Sequence, residues 1–414
     1  MIYNKIFAIL FLCVLTACSG GSRTTPPPNV TVNPPHNSPN VAAHLAATGN
    51  NVMSVSVSGS TCTSHKYTNE PCVSVTICTP GTSTCQTINN ILLDTGSYGL
   101  RIFSSVVTLS LPSVNDASSN PYATCASFGT GADWGPVKTA DVVLGDSGGG
   151  EKAPNVSIQL IDDTFANSKN NCANGAVDHS PAEAYYNGIL GIGLFSQDCG
   201  ANCANSATNG LYFSCVGTTC TSARIPLAKQ ISNPIYSMPT DNNGAILSLP
   251  DVSSLGASDV TGNLILGIGT SSNNQPDSGL YFLQASSNTA YITNTYKTRT
   301  TRSLLDSGTN AYGFYDNTIP NCSSSTNYYC PPSTTALTAV QTGTDGSNYQ
   351  VTFNLDNAIS VFSNNNYVYN NVGFAVTSAQ NFFIYGLPFH LGKSVFIGLE
   401  GRSSSLGSGF YWAY

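Results

Sequence analysis

The sequence has few charged residues, and basic residues are the scarcest of them. Only 8% of the 414 residues are charged, with 14 Lys and Arg against 21 Asp and Glu, so the formal net charge is −7. A chain with so little positive charge has no basic surface to neutralise phosphates, which argues against nucleic acid as a partner. Long exposed helices are also disfavoured, because the abundant Ser, Thr, Asn, Gly and Tyr residues are better suited to short strands and turns.

Histidine is also scarce, with five in the chain and none at ligand spacing from a cysteine pair. This disfavours zinc as the role of the 14 cysteines. Cys13 and Cys18 lie in an N-terminal export segment, so 12 cysteines, an even number, remain for the folded part. We therefore expect disulfides, although spacing alone leaves their connectivity open. The plausible local pairs are Cys78 with Cys85, Cys199 with Cys203, Cys215 with Cys220 and Cys322 with Cys330.

The apolar stretch near the N-terminus, Ile6 to Leu15, is too short to cross a bilayer. It follows Lys5 and is typical of a signal-peptide core. It ends in Leu15-Thr16-Ala17-Cys18, which resembles the lipobox of bacterial lipoproteins. The resemblance implies a signal peptide over residues 1–17, a lipid on the Cys18 sulfur, and an anchor in the cell envelope, with the Gram-negative outer membrane as destination, on its periplasmic or surface face. The alternative is an ordinary secretory signal with a chance cysteine.

Residues 18–50 are rich in Pro, Asn, Ser and Thr, including Pro26-Pro27-Pro28 and Pro34-Pro35. With so few apolar residues the segment cannot pack, so we expect a disordered tether that holds the folded part off the membrane. It contains no basic segment of the kind that blocks an acidic cleft as a propeptide.

From Val52 onward the pattern is that of half-buried strands. Apolar and polar residues alternate over 52–58 and 73–77, and Gly, Asn and Pro interrupt the runs. Short helical candidates lie at 182–186 and 222–230, too few to cover a parallel sheet on both faces. The sequence therefore predicts an all-β protein and disfavours an α/β fold.

One plan occurs twice in the chain. Ile91-Leu92-Leu93-Asp94-Thr95-Gly96-Ser97 is matched by Ser303-Leu304-Leu305-Asp306-Ser307-Gly308-Thr309. An apolar-Gly element follows each, at 187–193 and at 383–388. The repeat predicts two β lobes, 51–240 and 241–414, related by a pseudo-twofold axis, with one Asp turn in each.

Paired Asp turns at such an axis predict acid–base chemistry. If Asp94 and Asp306 face each other, both cannot ionise easily, so the pair shares a proton. One carboxylate then deprotonates a water that attacks a peptide carbonyl, while the protonated partner donates to the developing oxyanion. This chemistry requires no metal, cofactor or covalent nucleophile. A serine hydrolase is disfavoured because His65, His179 and His390 have no matching Ser or Cys constellation.

With these motifs the chain resembles the pepsin-like aspartic peptidases, from about Val52 to the C-terminus. The resemblance implies a bilobal fold with a central cleft, and Phe128-Gly129-Thr130-Gly131 stands where that family has the tip of a β-hairpin flap. Asp94 and Asp306 would be catalytic. The supporting residues implied by the family are Thr95 and Ser307, which brace the two turns, Ser97 and Thr309, which hydrogen-bond the carboxylates, and Gly96 and Gly308, which allow close backbone approach.

The flap departs from the family pattern, because Phe128 occupies the position of a tyrosine and has no hydroxyl to donate. Trp134 is a candidate N–H donor from the same hairpin, although packing is the alternative for a hairpin aromatic. Tyr98 and Tyr312 follow the two Asp turns closely and are candidates for lining the cleft with Phe128 and Gly129. For both tyrosines, packing within a lobe is the alternative.

The function expected is that of a monomeric, envelope-anchored aspartic endopeptidase that binds a peptide or protein substrate as an extended strand between flap and dyad. The alternative is a pepsin-fold lipoprotein that binds peptides or proteins without cleaving them, as do the plant inhibitors that resemble these peptidases. A third possibility, an adhesin or structural lipoprotein, would not require two matched carboxylate turns.

Overall fold

The computed structural model describes residues 41–59, 61–62, 67–129, 131–146, 149–167, 172, 177–323 and 326–414. Strands dominate this part of the chain, and the helices in it are short. The predicted all-β class is confirmed. The signal peptide, Cys18 and most of the expected tether lie outside the described residues.

The strands up to residue 222 are β1 (Val52–Val57), β2 (Pro71–Cys78), β3 (Cys85–Asp94), β4 (Tyr98–Phe103), β5 (Tyr122–Ser127), β6 (Ala132–Leu144), β7 (Glu151–Ile161), β8 (Gly188–Ile192), β9 (Tyr212–Val216) and β10 (Thr219–Ser222). The later strands are β11 (Gly244–Leu249), β12 (Val260–Leu266), β13 (Phe282–Gln284), β14 (Ile292–Tyr296), β15 (Arg299–Leu305), β16 (Tyr312–Phe314), β17 (Asn321–Ser323), β18 (Thr326–Tyr329), β19 (Thr335–Thr342), β20 (Asn348–Leu355), β21 (Gly373–Ala375), β22 (Phe382–Tyr385), β23 (Lys393–Gly398), β24 (Ser403–Ser404), β25 (Gly407–Ser408) and β26 (Tyr411–Ala413).

The α-helices of the described chain are α1 (Val41–Leu45), α2 (Pro181–Ala184), α3 (Ala201–Asn205), α4 (Ala358–Val361) and α5 (Leu387–His390). Single 3₁₀ turns lie at Ser104–Val106, Phe165–Asn167, Leu227–Lys229 and Pro234–Ser237. The helix predicted at 182–186 corresponds to α2. The one predicted at 222–230 is wrong apart from the turn at Leu227–Lys229, because Ser222 ends a strand. No helix among the described residues is long and apolar enough to cross a membrane.

Most of the strands form two large barrel-like sheets, and β24 and β25 pair separately with each other. The first has the order β10-β9-β5-β6-β7-β4-β8-β3-β2-β1-β12-β11-β23-β26-β13, and the second has the order β17-β18-β21-β16-β22-β15-β14-β19-β20. The predicted alternation is visible in β2, where Val73, Val75 and Ile77 are fully buried while the residues between them are partly exposed. The core therefore lies on the apolar faces of these strands.

The sequence repeat is also a repeat of strand pairing. In the first sheet β3 runs parallel to β8, β8 is antiparallel to β4, and β4 is parallel to β7. In the second sheet β15 runs parallel to β22, β22 is antiparallel to β16, and β16 is parallel to β21. Each Asp turn therefore follows a strand that lies beside its own later apolar-Gly element, as the repeat predicts. The lobe boundary at residue 240 stays a prediction.

The last ten residues of the expected tether differ from the prediction. Residues 41–45 form α1, and the His44 ring, which is buried, lies 2.9 Å from Ser394 Oγ. The Asn263 side chain donates hydrogen bonds to the carbonyls of His44 and Leu45. Part of this segment thus packs on the central strands, because residues 41–47 are mostly apolar and the buried polar groups of His44 find partners there.

Six disulfides connect described cysteines, and all four predicted local pairs are among them. Spacing alone did not predict the other two disulfides, Cys62–Cys72 and Cys125–Cys172. This number of disulfides indicates an oxidising, extracytoplasmic location for the folded part.

Candidate active site

The two repeated turns present their aspartates at the centre of the molecule. The apolar residues before each turn anchor it: Leu93 and Leu305 are fully buried in strands β3 and β15. Asp94 and Asp306 are also fully buried. Each turn lies beside its later element, since Asp94 pairs with Gly191 and the Asp306 N–H donates to Tyr385 O at 2.9 Å.

Thr95 and Ser307 hold the two turns together by a reciprocal set of bonds. The Thr95 hydroxyl donates to Leu305 O at 2.7 Å, and the Ser307 hydroxyl donates to Leu93 O at the same distance. Each hydroxyl also accepts the other residue's backbone N–H, at 2.9 Å for Thr95 and 3.1 Å for Ser307. The bracing role implied for these two residues is present in the geometry.

Glycine at position 96 allows the close approach of the two carboxyls. A Cβ on Gly96 would lie 2.6 Å from Asp306 Cγ, a distance that real Cβ atoms essentially never show. The backbone of the first turn is thus directly against the carboxyl of the second.

The two carboxyls have different hydrogen-bond partners. Asp306 accepts from Thr309 twice, through the backbone N–H at 3.1 Å and the hydroxyl at 2.7 Å. Asp94 Oδ1 accepts the Gly96 N–H at 2.7 Å, and Ser97 and the Gly308 backbone also favour its charged form. Asp306 is therefore held by its own turn, whereas Asp94 interacts with both turns.

The surroundings of the two carboxyls also affect their pKa values differently. Burial raises the pKa of Asp306 well above its usual range, and the neighbouring Asp94 raises it further. Burial also raises the pKa of Asp94, but hydrogen bonds from Ser97, Gly96 and Asp306 oppose the rise. Burial and the neighbouring carboxyl therefore favour a proton on Asp306 more strongly than on Asp94.

The predicted flap is a hairpin of β5 and β6, closed by a 2.8 Å bond from Phe128 N–H to Gly131 O. Gly129 is exposed at its tip, while Phe128 is 6% exposed. Phe128 packs into an apolar group that we call the hairpin cluster: Tyr67, Leu92, Phe103, Ala126, Phe128, Ile161, Ala184, Tyr186 and Ile189. Leu92 of this cluster lies two residues before Asp94, so the cluster that holds Phe128 reaches the strand that carries the first Asp turn.

Trp134 is not a cleft residue. Its side chain is fully buried, its ring lies edge-on to Phe213 at 5.3 Å, and its N–H donates to Phe165 O at 3.0 Å. The alternative reading, packing, is the correct one, because in β6 Trp134 points away from the hairpin cluster that its neighbour Asp133 faces.

The two tyrosines after the turns differ from the expected lining role. Tyr312 is 3% exposed and packs on Phe353, with ring centroids 4.4 Å apart, so it belongs to the core. Tyr98 is half-buried, with its ring edge-on to Phe195 at 5.1 Å. Both tyrosines therefore pack within the fold.

The segment 67–70, between β1 and β2, was missed by the sequence analysis. Asn69 donates from its side chain to Asn310 O at 2.8 Å and to Tyr369 O at 3.0 Å, and it accepts the Tyr369 N–H at 2.7 Å. Tyr67, in the hairpin cluster, has its pKa raised by burial, then by Glu70 and Asp94. The segment thus reaches from the surroundings of the first Asp turn to Asn310, the residue after Thr309. Nothing in its sequence pattern indicates this, since the contacts are long-range.

Comparison with known protein families gives one match. The family described as Protein of unknown function (DUF3443) matches residues 47–414, which is nearly the whole described chain. No curated protein matches the chain.

Proposed function

The chain belongs to the DUF3443 family, and we propose that this member is an aspartic endopeptidase of the pepsin-like kind, with Asp94 and Asp306 as its catalytic residues. The observation that carries the proposal is the reciprocal bracing of two buried Asp turns by Thr95 and Ser307. Such bracing keeps two carboxyls close together at a cost in charge repulsion, which is the arrangement that acid–base catalysis by a shared proton requires.

The proposed reaction uses the different protonation of the two groups. Asp94, ionised, takes a proton from a water whose oxygen attacks the peptide carbonyl carbon, while Asp306 gives its proton to the carbonyl oxygen. The resulting gem-diol then collapses: Asp94 returns its proton to the amide nitrogen as the C–N bond breaks, and Asp306 recovers a proton from a diol hydroxyl. Both carboxyls end in their starting states.

A second candidate function is peptide or protein binding without cleavage. The observation that favours it is the complete burial of both carboxyls. A peptidase has to expose the dyad to substrate, so the segments that bury it would have to move. Binding a peptide on the outside of the fold does not require that movement.

For location, we propose that the chain is a lipoprotein anchored through Cys18 in the bacterial envelope, with the outer membrane as destination. The sequence Leu15-Thr16-Ala17-Cys18 supports the anchor, and the disulfides support an oxidising compartment. Mass spectrometry of the N-terminal peptide from cells tests this, since a free Cys18 or cleavage elsewhere would contradict it.

Cleavage of a mixed peptide library by the full chain, in detergent, from about pH 3 to 7 tests the enzymatic proposal. We expect cleavage by the native chain, its loss in Asp94→Asn and Asp306→Asn, and its retention in Asp345→Asn. Asp345 is a matched control because it is exposed and bonds only within its own turn. Equal cleavage by native and both dyad variants would refute the catalytic roles. Peptide binding without cleavage at any pH would instead establish the binding function.

A further inference from the structure

A second pair of carboxyls lies near the tip of the flap hairpin. Ala132, the first residue of β6, forms a parallel bridge with Val177, and the Asp178 N–H donates to Ala132 O at 3.0 Å. In parallel pairing, the two residues that follow a bridged pair also lie side by side, with their side chains on the opposite face of the sheet. Asp133 and Asp178 are therefore neighbours, one on the hairpin and the other on the segment that leads into α2.

Asp133 is in an environment that disfavours its charge. It is fully buried, and neither of its carboxyl oxygens has a hydrogen-bond partner among the described residues. It stands opposite Ala126 in the hairpin, so its side chain faces the hairpin cluster. A buried carboxylate without a partner is strongly disfavoured, so the group requires a proton or a counter-charge.

No counter-charge is free to pair with it in the described part of the chain. Arg101 lowers the pKa of Asp133 less than burial and Asp178 raise it. Arg101 is itself in a 2.8 Å ion pair with buried Asp198 and donates to Gln159. Burial, followed by the charge of Asp178, raises the pKa of Asp133 well above its usual range.

The other titratable groups around the pair do not supply a positive charge to Asp133. Tyr186 faces both carboxyls from beyond α2, and its own pKa is raised by burial and by them. The His179 ring is exposed and lies 2.7 Å from Asp163, and the His179 N–H donates to Glu183 at 3.4 Å. Among the described residues, the Asp133 charge is therefore neutralised by a proton.

We propose that Asp133 and Asp178 are positioning residues of the flap: a proton on Asp133 allows the two carboxyls to lie side by side and holds the hairpin against the 177–180 segment, with Phe128 in the hairpin cluster. This rests on the proposed function, because it concerns the hairpin that would close over substrate. When the proton is lost, two adjacent carboxylates repel each other and the hairpin separates from the segment. The hairpin is thus closed at acidic pH and loosened as the pH rises.

Trp134 reports this movement without any need for catalysis. It follows Asp133 directly, and the chain has only one other tryptophan, Trp412. In a Trp412→Phe background, the emission of Trp134 from the full chain is measured between about pH 4 and 8. We expect one transition, with emission shifting to longer wavelength as the pH rises, and its disappearance in Asp133→Asn and in Asp178→Asn, where a neutral amide removes the repulsion between two carboxylates.

The control is Asp345→Asn, which should keep the transition. The same transition in native protein and in Asp178→Asn would overturn the proposal, and so would no transition in the native protein. Asp178 is half-buried, so its amide variant keeps the test valid if Asp133→Asn does not fold. Asp94→Asn should also keep the transition, which separates this result from failure of the peptidase proposal. If cleavage is found, Asp178→Asn should raise the ratio of kcat/KM at pH 7 to that at pH 5 by about threefold or more.

Discussion

Thr95 and Ser307, 212 positions apart in the sequence, each donate a hydroxyl hydrogen bond to the carbonyl that precedes the other's aspartate. Both bonds are 2.7 Å long and both are buried. Two chain segments from different sheets are therefore fixed to each other at the place where their carboxyls meet. This relationship explains why a hydroxyl residue follows each Asp.

Removing either hydroxyl should destabilise the fold. Thr95→Ala leaves Leu305 O and the Ser307 N–H without a partner in a buried site, which costs about 2 kcal/mol or more in the free energy of unfolding. Thr95→Ser keeps the bonds and should cost less than half of that. Urea unfolding measures both variants, and equal midpoints for Thr95→Ala and Thr95→Ser would contradict the bracing role.

The raised pKa of Asp306 predicts how stability varies with pH. Because burial and Asp94 raise this pKa in the folded state, the folded chain binds more protons than the unfolded one, and stability falls as the pH rises through the raised value. Asp306→Asn removes that loss, so the variant should unfold at a higher temperature than the native chain at pH 7. Near pH 4 the two should differ little.

Asp316→Asn is the control of opposite sign. Burial alone would raise the pKa of Asp316, but bonds from Lys297, Thr318 and Tyr296 lower it to about 2. Its contribution to stability is present above its ordinary value of 3.8 and is lost as the pH falls toward 2. Asp316→Asn should therefore destabilise at pH 7 and have little effect near pH 2. Parallel pH dependence of the two variants would refute the assignment for Asp306.

The disulfides should differ in their effect on stability. Cys125–Cys172 closes a loop of 47 residues and ties the flap strand β5 to a distant segment, whereas Cys199–Cys203 spans four. Loop entropy assigns about 4 kcal/mol to the first and about 2 kcal/mol to the second. Replacing each pair by alanine and measuring urea unfolding tests the order. A larger loss from Cys199–Cys203 would contradict it.

Asn69 should be necessary for the contact between segment 67–70 and the second sheet. Asn69→Gly keeps the left-handed backbone (φ 57°) but removes the bonds to Asn310 and Tyr369, and should cost about 2 kcal/mol. Asn69→Ala should cost about 1 kcal/mol more, because alanine resists that backbone conformation. Thermal unfolding compares the two, and an alanine variant as stable as native would show that the segment contributes nothing there.

Local patterns predicted a large part of this protein correctly. Alternation in β2 predicted its buried face, close spacing predicted pairs such as Cys78–Cys85, and the repeated Leu-Leu-Asp turns predicted that two sheets share one plan. The reason is that strand burial, tight turns and short disulfide loops depend on residues that are neighbours in the chain. The family resemblance, which rests on this repeat, predicted the mutual bracing of Thr95 and Ser307.

What the tertiary structure alone decided is how side chains distant in sequence surround those turns. Trp134 and Tyr312 are in the core rather than in a cleft, Asn69 reaches the second sheet, and Asp133 stands beside Asp178. Each of these outcomes depends on which segment packs over a residue, and such packing is set by long-range contacts that no local pattern encodes. The sequence by itself thus determined the two Asp turns and the strands that carry them, and the fold determined the burial of both carboxyls and the packing of Phe128 into the hairpin cluster.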